Sequence, residues 1–125
     1  MDRIEKAVEY KHNGCNCCQA VLMAFEDKLD LNSEQLKALG SGFGTGMGCM
    51  EATCGALVGA NMVLGMNNKT GKPTVLQSRQ LLNDFNAASG ATICKELKGV
   101  ETGKVLCECD DCVRNAAKLL LEKLS

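Results

Sequence analysis

Residues 40–59 read GSGFGTGMGCMEATCGALVG, and the rest of the chain is organised around them. The stretch opens with glycine at positions 40, 42, 44, 46 and 48 and then delivers Cys49 and Cys54 into a run of small residues. Glycine lets the backbone turn through positive φ and approach another group closely. A loop of this kind, opening onto a helix, presents free N–H groups and the positive end of the helix dipole. The groups at hand are sulfurs. Gly44, Gly46 and Gly48 are therefore candidate cofactor-binding residues, acting as backbone donors in a cysteine-lined site.

The small-residue run predicts a helix over 50–66, MEATCGALVGANMVLGM. Gly55 and Gly59 form a G-x-x-x-G step in it. Mid-helix glycines cost about 1 kcal/mol each relative to alanine. Close approach of a neighbouring helix or of a bound group would offset that cost. The same face leaves a homodimer open, with this helix packed against its copy.

On either side the apolar period is helical throughout. Helices are predicted over 2–12, 17–29, 33–40, 73–89 and 112–124, with a short helical turn at 93–97. Asn16 and Asn32 are N-cap candidates, and Gln35 three residues after Asn32 completes a capping box. Pro73 suits a first helical turn. Val75, Leu81, Leu82, Phe85 and Ala88 are expected on the inner face of the 73–89 helix, and Asp110 or Asp111 at the cap of the last one. No segment alternates with period two. The expected fold is all-α: one domain over 1–125, a bundle of five to six helices with a glycine-rich loop.

Charge excludes several function classes. With 14 basic and 15 acidic residues the net charge is −1, so nothing here attracts nucleic acid. No apolar run approaches a bilayer span, so membrane insertion is not expected. The mixed-charge start, MDRIEKAVEYK, has no signal-peptide character, and the expected address is the cytoplasm. The glycine loop lacks the Gly-Lys-Ser/Thr of a phosphate-binding loop. His12, the one histidine, sits at a helix end, where it serves as a cation near the C-terminus rather than as half of a Cys-His pair.

What remains is the cysteines, nine in 125 residues. In a cytosolic chain that density points to metal binding or redox chemistry. Cys17, Cys94 and Cys112 fall at predicted helix starts, and Cys54 in the first turns of its helix. A helix N-terminus favours the thiolate, which is both nucleophile and metal ligand. Cys17 and Cys112 are thus candidate reactive thiolates. Cys18 shares an apolar face with Val21 and Phe25 and reads as core. Cys109-x2-Cys112 has metal-pair spacing, which alone is unspecific.

These residues also carry a resemblance. Asn16-Cys17-Cys18-Gln19-Ala20-Val21, Cys54-Gly55-Ala56-Leu57-Val58-Gly59, Cys94-Lys95-Glu96-Leu97 and Cys112-Val113 follow in order through nearly the whole chain. In this the chain resembles the redox-active proteins named for the motif C-GCAxxG-C-C, although it reads Cys54-Gly55 where the label writes Gly-Cys. The resemblance implies an all-helical domain in which Cys17, Cys54, Cys94 and Cys112 converge. It implies an iron–sulfur site, as in a similar domain of split-Soret cytochromes, or thiol redox chemistry, since some relatives carry selenocysteine. Cys15, Cys18, Cys49, Cys107 and Cys109 are additions, of which Cys49 and Cys109 are candidate extra ligands.

Three functions are expected to compete. The first is electron transfer through an iron–sulfur cluster to an unknown redox partner. The second is a thiol–disulfide enzyme, with Cys109 as a resolving thiol. The third is a structural zinc site.

Overall fold

The computed structural model describes residues 2–124. Among them are seven α-helices and no strand: α1 Arg3–His12, α2 Cys17–Ala24, α3 Ser33–Gly40, α4 Gly55–Met66, α5 Val75–Ser89, α6 Cys94–Lys98 and α7 Cys109–Leu124. The all-α expectation holds, with one or two helices more than expected, because the turn at 93–97 is a helix in its own right.

Helices α2 and α4 form the centre. α1 packs on α2 and α7, α7 also lies against α4 and α5, and α3 covers the other side of α2. Phe25, Phe85, Leu22, Leu36, Leu57, Leu81 and Leu120 fill the core. The G-x-x-x-G step is used inside the chain. A Cβ on Gly59 would lie 2.7 Å from the Cys18 carbonyl oxygen, and one on Gly55 would lie 2.6 Å from that of Phe43. The glycines let the α4 backbone touch α2, so the face expected to serve a homodimer is already covered. Among the described residues, no helix is long and apolar enough to cross a membrane.

Several helix ends differ from expectation. α2 stops at Ala24 rather than 29, where Arg3 Nη1 donates to the Ala24 carbonyl at 2.6 Å and its guanidinium lies over the Phe25 ring. α4 begins at Gly55, not 50, because Met50 has φ 65° and Cys54, with ψ 131°, is not helical. Pro73 lies outside α5, whose N-cap is Thr74. Of the residues expected on the inner face of α5, Val75, Leu82 and Ala88 are exposed and only Leu81 and Phe85 are buried; Ser89, not expected there, is buried too. α7 begins three residues early, at Cys109, since Asp110 and Asp111 occupy its first turn rather than its cap. Acidic side chains favour either place.

Candidate functional site

Local rules place each sulfur. Asn16 caps α2 through a complete capping box: its side chain accepts from Gln19 N, and Gln19 Oε1 accepts from Asn16 N. Cys17 is thereby the first helical residue. Asn16 Nδ2 also donates to the Gly40 carbonyl at 3.1 Å, which ties the glycine loop to α2. Gly44 packs on the same side chain, leaving 2.5 Å between its missing Cβ and that of Asn16.

The loop then winds left-handed. Thr45, Gly46, Met47 and Gly48 have φ of 53°, 55°, 60° and 84°. Non-glycine residues pay roughly 1–2 kcal/mol each for that conformation. Bonds from Gly48 N to Gly44 O and from Met50 N to Thr45 O, both 2.9 Å, hold the turn. It seats Gly46 against Cys94, where a Cβ would approach Cys94 Cβ to 2.7 Å. Beyond the turn a single antiparallel bridge pairs Thr53 with Ile93. Cys54 N donates to Thr92 O at 2.8 Å and Cys94 N to Ala52 O at 3.0 Å. The next residue on each side is a cysteine at a helix start, so this bridge sets Cys54 and Cys94 side by side.

A cavity of about 190 Å³ results, lined by Cys15, Cys17, Cys54, Cys94 and Cys109 together with Lys11, Thr45 and Lys98. Cys17 and Cys94 each feel the charge of Cys54, of Cys109 and of Lys98, and Cys54 feels that of Lys98. Burial works against the Lys98 cation. The Cys109 sulfur in hydrogen-bond contact, with the charges of Cys17 and Cys94, outweighs burial and holds its pKa above the usual lysine value.

Cys54 is the acidic thiol, lowered to about 6. The S–H of Cys112 is the largest cause; burial opposes it, and the Ala56 and Leu57 amides at the start of α4 and the Lys98 charge assist. Cys112 is raised in turn, by the same contact and by burial. At Cys17 the dipole argument predicts a lowered pKa, but burial is the larger effect and pushes it up to about 12, despite Lys98 and Lys11. Burial likewise takes Cys18 to about 12 and raises Cys94. The low-pKa sulfur is therefore Cys54, rather than Cys17 or Cys112.

Of the residues singled out in the sequence, Cys17, Cys54 and Cys94 meet at the cavity. Cys112 stands one turn into α7, behind Cys54, and Cys109 takes the place on the wall. Cys49 is exposed on the left-handed turn, its sulfur 3.7 Å from the Gly46 carbonyl. Gly44 and Gly46 pack against Asn16 and Cys94, and Gly48 has nothing within 4 Å of its missing Cβ. Cys18 is core, its sulfur 3.9 Å from Met62 Sδ. His12 pairs with Asp110 at 2.7 Å and joins the end of α1 to the start of α7. Cys15, an addition to the family pattern, also lines the cavity, and Lys11 and Lys98 are the site residues that sequence reasoning missed. Lys98 had a legible signal, four residues after Cys94 and so one helical turn along the same face.

Among the described residues, no three Cys, His, Asp or Glu side chains are gathered as ligands for one metal ion. The donor set is instead soft and spread: thiols around a cavity, with two lysines to offset anionic charge. No match was found among curated proteins or solved structures. Over residues 15–123, however, the chain matches the model of the family described as "Putative redox-active protein (C_GCAxxG_C_C)", and it belongs to that redox family.

Proposed function

We propose that the protein transfers electrons through an iron–sulfur cluster held at the cavity by Cys17, Cys54, Cys94 and Cys109. The observation that carries this reading is the convergence of these sulfurs, from four separate segments, on one cavity of about 190 Å³. A single zinc ion needs its ligands drawn to about 2.0–2.3 Å. A cluster is larger and takes thiolates from wider around it. When bound, such a group supplies one-electron chemistry.

The chain's own residues do the rest. Cys54 is the thiol most ready to ligate, since a ligand must first lose its proton. Lys98 and Lys11 offset negative charge at the wall. The S–H of Cys112 and the first amides of α4 reach the Cys54 sulfur, and such contacts tune potential. Thr45, on the left-handed turn, closes one side. Nine free thiols suit a reducing compartment, in keeping with a cytoplasmic address.

The test is iron and acid-labile sulfide content, with a visible spectrum, after purification without oxygen. Iron and sulfide in matching amounts are expected, lost in Cys109→Ser and kept in Cys112→Ser. Zinc alone, or no metal, would overturn the reading. A second reading has its own observation, the contact between the Cys54 thiolate and the Cys112 thiol: a thiol–disulfide centre. Metal-free protein with one rapidly alkylated thiol, Cys54, would favour it.

A further inference from the structure

On the far side of Cys112 lies a site that the cavity above does not use. Cys107 precedes α7, and its sulfur is in side-chain contact with that of Cys112. Cys112 Sγ also reaches the Cys107 carbonyl at 3.7 Å. Asn115, one helical turn on, is held by Ser89 Oγ at 2.9 Å and points the same Nδ2 at Cys107 Sγ, 3.8 Å away. The amide thus fixes the position of the Cys107 sulfur beside that of Cys112. Cys107 lines a separate surface cavity of about 400 Å³ between the end of α5 and the start of α7. Val105 and Leu106, 48% and 46% exposed, give that cavity an apolar lip.

We propose that Cys107 and Cys112 form a dithiol site that reduces a small disulfide seated in this second cavity. The Cys107 sulfur, as thiolate, attacks one sulfur of the disulfide RSSR. A Cys107–SR bond forms and RS⁻ leaves. The Cys112 thiol passes its proton to RS⁻, and its sulfur attacks that of Cys107. The Cys107–Cys112 disulfide forms and a second RS⁻ leaves, taking the proton that Cys107 gave up. Two electrons pass from the pair to the substrate, and one RSSR becomes two RSH. A low-molecular-mass dithiol returns the pair to thiols by the reverse exchange. The step needs no metal, so it stands or falls separately from the proposed cluster.

The experiment treats the full chain, purified without oxygen, with one equivalent of bis(2-hydroxyethyl) disulfide. Remaining thiols are then alkylated, and the tryptic peptide 105–114, VLCECDDCVR, is fragmented. The expected product is an internal link between Cys107 and Cys112, with two thiols released per chain. Cys107→Ser should slow that release about tenfold or more. Asn115→Leu should slow it as well, and Cys49→Ser should leave it unchanged. The visible spectrum, recorded in parallel, reports the proposed cluster independently. A link from Cys112 to Cys54 or to Cys109 would overturn the proposal, as would an unaltered rate in Cys107→Ser. If Cys107→Ser does not fold, the wild-type link and the Asn115→Leu rate decide.

Discussion

At Cys54 burial and hydrogen bonding pull in opposite directions, and hydrogen bonding wins. Its pKa falls from 9.0 to about 6, whereas Cys17, without such a donor, rises from the same value to about 12. The two sulfurs therefore shape stability on opposite sides of neutrality in the metal-free protein. The contribution of Cys54 is complete above pH 9 and is lost as pH falls through about 6. That of Cys17 is complete below pH 9 and is lost as pH rises through about 12. In an ultraviolet thiolate titration of metal-free protein, the first thiolate is expected near pH 6, absent from Cys54→Ser. Cys112→Ala should move that midpoint upward, because the Cys112 S–H is its largest cause. A wild-type protein with no thiolate forming below pH 8 would contradict this assignment. The sequence pointed to helix starts as thiolate sites. It could not show that Cys17 is partly buried, since burial depends on which helices surround it.

Among the elements, the α2 start and the left-handed turn make contrasting predictions. Asn16→Ala removes a capping box and the tie to Gly40, and should cost about 1–2 kcal/mol in urea unfolding. It should also raise amide exchange over residues 41–48, a change that simple loss of a helix cap would not bring. Met47 is the reverse case. It is 56% exposed with φ 60°, and Met47→Gly should stabilise the fold by about 0.5–1 kcal/mol, the relief of left-handed strain less the entropy of glycine. Both Asn caps were legible because capping boxes are written within four residues. The start of α4 was not, because residues 50–54, MEATC, contain no helix breaker and run straight into the small-residue stretch. What denies them a helix is the Thr53–Ile93 bridge, a contact made across 40 residues. α5 misled for a related reason: its period is helical, but little of the bundle reaches its outer side, so Val75 and Leu82 stay in solvent.

At the scale of the whole molecule, the fold brings the starts of α2, α4, α6 and α7 to one cavity. Convergence of Cys17, Cys54 and Cys94 was legible from the family pattern, while Cys109 was legible only as a candidate extra ligand beside Cys112. With Asp110 and Asp111 taken as a cap, Cys112 looked like the helix start, and only the extra turn of α7 hands that place to Cys109. Lys98 shows best what the assembly adds. Loop backbone bonds from Leu106 N and Cys107 N to the Leu97 carbonyl fold the 99–107 segment onto α6, which carries Cys109 to the Lys98 amine. A half-buried cation among these sulfurs interacts through a medium less polar than water, so its charge is felt strongly at the site. If the proposed cluster is present, reduction adds negative charge beside this cation, and the cation favours the reduced state. Lys98→Met should therefore keep iron and sulfide content while lowering the reduction potential by on the order of tens of millivolts. Lys98→Arg should hold the potential near the wild-type value. Spectroelectrochemical titration of the three proteins checks this, and a potential unmoved by Lys98→Met would place the redox group elsewhere than at this cavity.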